Sequence, residues 1–280
     1  MIQLYTQRRM TTHNPDTFDY YIPVLCVAGS DPSGGAGIQA DLKTCEAFGC
    51  YGMAVVSGLT AQSPSRVTAV RSVSDFMEAQ LETLLDEVRP AAVKTGMLAD
   101  VGAVKAMATA IKRYGLKNVT SDPVMVSTSG YALTDSSYIE ALTTLLLPHV
   151  TIITPNVPEA EVLTDLSITS LNDCCRAAKL ISRRYGCRCV LVKGGHITGN
   201  IAADTLYVAH TDTFHIFESE RIITPNTHGT GCRLSTAIAC GLGCGLSVPD
   251  AVDRAKNWLA AELRRYARYR FPKSLQNPHL

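Results

Sequence analysis

The chain has 280 residues, 46% of them hydrophobic and 18% charged, with a formal net charge of +1. This is the composition of a packed core, which excludes a disordered chain, and the length fits one large α/β domain or two small ones. The near-neutral balance argues against a nucleic-acid partner, and no stretch approaches the roughly 20 apolar residues of a membrane span, so a small-molecule partner is expected.

Residues 1–22 are polar and mixed, with Gln7-Arg8-Arg9 and no apolar signal core, and read as a loosely ordered N-terminal extension. From there short apolar runs alternate with longer amphipathic ones. Val24–Ala28 reads as a buried strand. Gly37–Phe48 follows as a helix, with Ile38, Leu42 and Cys45 on one face and Gly49 as its stop. The pattern continues with a strand at Gly52–Thr60, a helix at Asp75–Val88, a strand at Ala91–Thr95 and a helix at Asp100–Tyr114. Asn118–Ser121 reads as a strand, Ser136–Leu147 as a helix, and Thr151–Thr154 as a strand closed by Pro155. Asn172–Tyr185 is helical, Arg188–Lys193 extended, and Thr205–Ala209 with Thr213–Phe217 an antiparallel pair. Helices over Gly231–Leu242 and Pro249–Tyr266 end the pattern.

Strand and helix in alternation predict an α/β fold: a mostly parallel central sheet with helices on both faces. No linker or repeat divides it, so a single domain is expected over 23–270, followed by a tail at 271–280. Ligands in such sheets bind beyond the carboxyl ends of the strands. The cluster Arg264, Arg265, Arg268 and Arg270 reads as a solvated helix face. Ten cysteines occur without CxxC or HExxH spacing, several inside apolar runs, which points to reduced thiols and a cytoplasmic protein.

Two glycine-rich turns interrupt this pattern. Val24–Ala28 runs into Gly29-Ser-Asp-Pro-Ser-Gly-Gly-Ala-Gly37, where glycines permit positive φ and close approach of a ligand at a helix N-terminus. It is no Walker loop, since Gly35-Ala36 stands where lysine and hydroxyl belong. It is no dinucleotide fingerprint either, since Val55–Gln62 holds no acidic residue. The second turn, Asn226-Thr-His-Gly-Thr-Gly-Cys232, can aim successive N–H groups of Gly229, Thr230 and Gly231 at one anion, as phosphoryl transfer requires. Cys232 falls in the first turn of the next helix. A helix N-terminus lowers a thiol's pKa, so Cys232 is either a base for a substrate hydroxyl or a small core residue.

Taken together, six runs resemble the hydroxymethylpyrimidine/phosphomethylpyrimidine kinases of the ribokinase-like superfamily. They are Ala28–Lys43, Lys94–Ala99, Asp122–Met125, Ile153–Ala160, Val192–His196 and Asn226–Cys232, in the family's order. The resemblance implies a ribokinase-like fold and transfer of phosphate from ATP, with Mg²⁺, first to a hydroxymethylpyrimidine and then to its monophosphate in thiamine biosynthesis. It implies Cys232 as base over the anion turn Gly229, Thr230 and Gly231. Gln62 would bond the pyrimidine edge, Gly29, Ala36 and Asp41 would line the pocket, and Met97 and Val124 would lie against the ring. Asn156 and Glu159 would serve nucleotide and metal, with Asp122 in support. Lys193 would meet ATP phosphate, Lys256 would lie near the nucleotide, and a homodimer is expected. Two residues depart from the pattern: Arg233, where a small hydroxyl residue is usual, and Thr95, where an apolar one is common. A pyridoxal kinase of the same fold, or a non-catalytic pyrimidine sensor, are the alternatives.

Overall fold

The computed structural model describes residues 20–125, 136–197, 199–224 and 226–269. The extension as far as Asp19, Arg270 of the basic cluster and the tail 271–280 lie outside the described residues. The first half comprises β1 (Pro23–Ser30), α1 (Gly37–Ala47), β2 (Tyr51–Ser63), β3 (Arg66–Ser72), α2 (Ser74–Leu85), β4 (Ala92–Thr95), α3 (Val101–Tyr114) and β5 (Val119–Ser121). The second comprises α4 (Ser136–Ala141), β6 (Ile152–Ile153), α5 (Val157–Thr164), α6 (Leu171–Tyr185), β7 (Cys189–Lys193), β8 (Ile201–Val208), β9 (Thr213–Glu220), α7 (Thr230–Gly243) and α8 (Val248–Tyr266).

The nine strands form one sheet in the order β3-β2-β1-β4-β5-β6-β7-β8-β9. Strands β2 through β7 in that order run parallel, while β3, β8 and β9 pair antiparallel at the two edges. The central strands are covered on both faces, which is why Val24–Ala28 is a continuous apolar run and not an alternating one. One face packs helices α2, α3, α4 and α6 around Leu25, Val93, Met107, Leu142 and Ile181. The other packs α7 and α8 around Leu191, Leu234, Ile238 and Val252, with α1 closing the layer through Cys26, Cys45 and Cys240.

Two elements escaped the sequence pattern. Strand β3 is an edge strand with little burial, so it carries charges such as Arg66 and Arg71 and no hydrophobic alternation. Helix α5 is eight residues long and starts with a proline in its first turn, too short to show a period. The helix expected over Ser136–Leu147 changes at Leu142 to a wider π-helical turn. Ile22, at the end of the expected extension, packs on the core, and its carbonyl accepts from the Tyr51 N–H.

The helix starts differ in a way that bears on function. Asp100 caps α3, Asn156 caps α5, Ser170 caps α6 and Ser247 caps α8, each accepting from a first-turn N–H. Helices α1 and α7 have no side-chain cap. The starts of both helices line the same cavity.

Candidate active site

A cavity of about 730 Å³ opens at the carboxyl ends of the parallel strands. One end is lined by Gly29, Ala36, Gln62, Met97 and Val124, and the other by Asn156, Glu159, Lys193 and Lys256. The turn Gly229–Cys232 lies between them, so residues from both ends of the chain share one space.

The two glycine turns touch backbone to backbone. Gly229 has φ +75°, and a Cβ there would overlap the carbonyl oxygen of Gly35. A Cβ on Gly29 would overlap the terminal methyl of Met97. Glycine at 29 therefore lets Met97 close the apolar wall, and glycine at 229 lets the second glycine turn settle on the first.

Gln62 stands where the β2–β3 register slips between Ala61 and Gln62. Such a bulge re-aims a side chain. Gln62 Oε1 lies 3.1 Å from Thr60 Oγ1, and Gln62 Nε2 lies 3.3 Å from His228 Nε2. His228 Nε2 is in turn 2.9 Å from Asp31 Oδ2. Asp31 also accepts from Ser33 N, Ser33 Oγ and Ala36 N, at 2.8, 2.9 and 2.8 Å. Burial alone would raise the Asp31 carboxyl, but these donors hold it below its ordinary value.

Sequence reasoning missed Asp31 and His228. The signal available was a polar side chain, Asp31 or His228, inside each glycine turn, where glycine and small residues otherwise suffice.

Cys232 is half-buried in the first turn of α7 and accepts a hydrogen bond from the Gly37 N–H at the start of α1. The lowered thiol expected from the helix terminus is overturned. Burial pushes Cys232 up to about 11, against the opposing charge of Lys94 and with Asp122 and Asp41 adding to the rise.

Asp41 also departs from expectation. It is fully buried and does not line the cavity. Its carboxylate accepts from the equally buried Lys94 at 2.9 and 2.8 Å and from Thr236 Oγ1 at 2.7 Å. The Thr236 hydroxyl oxygen also lies 2.9 Å from the Cys232 carbonyl oxygen. This ion pair underlies the site and ties α1, β4 and α7 together. A charge on a central strand can be tolerated only with such a partner. Burial opposes the Lys94 charge, but Asp41, Cys232 and Asp122 hold it well above the ordinary lysine value.

At the other end Lys193 Nζ bonds Asp122 Oδ1 at 2.7 Å, and Asp122 Oδ2 faces Gly231. Glu159 sits in the capping box of α5, its carboxylate accepting from Asn156 N at 2.8 Å. Burial pushes Glu159 up to about 7, with Lys193 opposing and Asp122 reinforcing. Lys256 reaches the cavity wall, but its ammonium bonds Asp204 Oδ2 and the Ala202 carbonyl at 2.8 and 2.9 Å, which joins α8 to β8. Among the described residues no group of three or more His, Cys, Asp or Glu side chains is arranged to hold a metal ion.

The two departures leave this cavity undisturbed. Arg233 lines an adjoining groove of about 810 Å³ with Lys43 and Trp258, which shares His228 and Thr230 with this cavity. Thr95 is buried and donates to Ser121 Oγ at 3.1 Å.

The phosphomethylpyrimidine kinase family model matches residues 31–274. The hydroxymethylpyrimidine/phosphomethylpyrimidine kinase of Salmonella typhimurium is 42% identical, over 86% of this chain and 91% of its own length. The thiamine biosynthesis bifunctional protein ThiED of Geobacter sulfurreducens is 41% identical over 86% of this chain, a match spanning 49% of that longer protein. Among solved structures, an ADP complex of Bacillus subtilis pyridoxal kinase superposes with a TM-score of 0.81 at 37% identity, covering 91% of this chain and 94% of the other. The phosphomethylpyrimidine kinase of Clostridium difficile gives 0.76 at 38% identity, covering 86% and 99%.

Proposed function

The chain belongs to the phosphomethylpyrimidine kinase family, and on that premise we propose how its own residues carry out phosphate transfer from ATP to hydroxymethylpyrimidine, and then to the monophosphate, in thiamine biosynthesis. The observation that carries the reading is the meeting of Cys232, Gln62 and the uncapped turn Gly229–Gly231 in one cavity.

The pyrimidine lies between Met97 and Val124 with its edge on Gln62, among Gly29 and Ala36, and its hydroxymethyl group points to Cys232. The N–H groups of Gly229, Thr230 and Gly231 hold the transferring phosphoryl group, whose charge spreads in the transition state. Lys193 lies above the turn, its Nζ 3.3 Å from where a Cβ of Gly231 would sit, and meets ATP phosphate. Cys232, as thiolate, takes the hydroxyl proton while the alcohol oxygen bonds the γ-phosphorus and the bond to ADP breaks. Lys94 and the Gly37 N–H favour that thiolate.

Asp122 and Glu159 fit a Mg²⁺ ion held mainly by water and phosphate oxygens. Asp122 Oδ2 has no hydrogen-bond partner among the described residues, and Glu159, raised by burial, ionises more readily beside added positive charge. When bound, the ion would neutralise phosphate charge. Asn156 keeps Glu159 in place through the capping box, and Lys256 stiffens the wall near the nucleotide.

A homodimer and a cytoplasmic location belong to the same proposal. The location is supported by ten free cysteines. No helix among the described residues is long and apolar enough to cross a membrane.

Product analysis with ATP, Mg²⁺ and hydroxymethylpyrimidine tests the reading. Sequential monophosphate and diphosphate are expected. Phosphorylation of pyridoxal alone, or of neither alcohol, would overturn it.

A further inference from the structure

The turn that follows β7 borders the Lys193 end of the cavity, and its own side chains do little to hold it there. Lys193 ends β7, and Gly194 and Gly195 come next. Gly194 is seated hard on the sheet. A Cβ there would overlap the Ala203 carbonyl oxygen, and the Gly194 N–H donates to Asp204 Oδ1 at 2.9 Å. Beyond Gly194 the support thins. Gly195 and Gly199 have open space where a side chain would stand, and Gly195 lines the cavity.

Arg221, directly after β9, supplies what the turn lacks. Its Nε–H donates to the Gly199 carbonyl at 2.6 Å, its Nη1 to the Gly195 carbonyl at 2.7 Å, and its Nη2 to the Ile197 carbonyl. Its backbone N–H donates to the Asn200 carbonyl at 2.8 Å. A guanidinium is planar, stays charged, and carries five N–H donors in a fixed fork. Here the fork gathers three carbonyl oxygens of one turn, and bonds to a charged donor are stronger than those between neutral groups. The charge is directed at main chain: Glu220, the neighbouring residue, pairs instead with Arg264 at 3.9 Å.

The turn is tied to the phosphate end of the site. Lys193 bonds Asp122, and Asp204 joins the Gly194 N–H to the Lys256 ammonium. Arg221 and Gly195 both line the cavity, so the clamp is part of its wall. Gln62, Met97 and Val124 belong to β2 and to the segments after β4 and β5, at the other end.

We propose that Arg221 is a positioning residue for the nucleotide: by binding three carbonyl oxygens it fixes the turn after β7, and with it Lys193 and the Gly195 backbone, where ATP phosphate is met. This rests on the reading of Lys193 as the group that meets that phosphate. The clamp acts on one substrate and not on the other, because the pyrimidine wall hangs from different strands.

Steady-state kinetics of Arg221→Ala, with each substrate varied in turn, tests this. KM for ATP should rise about 10- to 100-fold, the range for a displaced binding group. KM for hydroxymethylpyrimidine should stay within about twofold, since its contacts are untouched. Arg221→Lys keeps the charge, but one ammonium cannot span the three carbonyls, so its KM for ATP should stay nearer the alanine variant than the wild type. Full recovery in Arg221→Lys would show that charge alone suffices and would overturn the clamp. A merely structural arginine would lower the melting temperature and shift both KM values alike, or neither, and either result overturns the proposal. If the variants do not fold, ¹⁵N NMR of the wild type decides. The Arg221 Nε–H should exchange slowly with water, and should shift on addition of Mg²⁺ with a non-hydrolysable ATP analogue but not with hydroxymethylpyrimidine alone. A rapidly exchanging Nε–H, or a resonance indifferent to nucleotide, overturns it. A wild type that transfers no phosphate from ATP would instead refute the parent reading.

Discussion

His228 and Asp31 stand 197 residues apart in the chain and 2.9 Å apart in the folded molecule. The contact joins a turn after β1 to a turn before α7, and it can form only because Gly35 and Gly229 leave their backbones bare. The same junction brings the start of α1 to the start of α7, so the Gly37 N–H reaches the Cys232 thiol.

Cys232→Ala should leave pyrimidine affinity within a few-fold, measured calorimetrically, and lower kcat by about 10²–10⁴, the range for removing a proton acceptor. With the thiol near 11, the wild-type rate should climb across pH 7 to 10 as the thiolate fraction grows. The alanine variant's residual rate should be flat there. Equal pH slopes in the two proteins would remove Cys232 from the chemistry.

Lys94→Met strands the Asp41 carboxylate in the core. The expected loss is about 3–5 kcal/mol in urea denaturation, the cost of breaking a buried pair from one side. Lys94→Met with Asp41→Asn should recover much of it. A single variant as stable as wild type would show that the pair carries no such strain.

Glu159 gives a pH signature in stability. Its folded value near 7 lies above its ordinary 4.5, so between these the folded state holds more protons than the unfolded one. The contribution is full below about pH 4.5 and is lost as pH rises through 7, amounting to at most about 3 kcal/mol. Glu159→Gln, which keeps the cap, should flatten this fall in thermal melts between pH 5 and 8. Mg²⁺ with a non-hydrolysable ATP analogue should shrink it in the wild type.

Gly229→Ala forces a side chain into the left-handed region and against the Gly35 carbonyl. A fall of at least about 1–3 kcal/mol in stability is expected, the range for strain at such a backbone site. KM for ATP should rise with it. Gly245→Ala has a comparable positive φ, +85°, but open space around it, and should cost stability without changing ATP kinetics.

The alternation of apolar runs was enough to give the α/β sheet, because strands buried on both faces and amphipathic helices leave different periods in the chain. The edge strand β3 left no such trace, since its residues face water on much of their surface. Cys232, Gln62 and the glycine turns could be read from the sequence, because unusual residues at strand ends and helix starts stand out locally. The places of Asp41, Asp31 and His228 could not. Nothing local distinguishes an aspartate that lines a pocket from one that lies beneath it bonded to Lys94, or shows that a histidine meets a glutamine 166 residues away. Those outcomes depend on how α1, β4 and α7 pack, and on which donors the buried carboxylates find there. Local pattern in the chain therefore determined the backbone plan, while packing decided which charges neutralise one another.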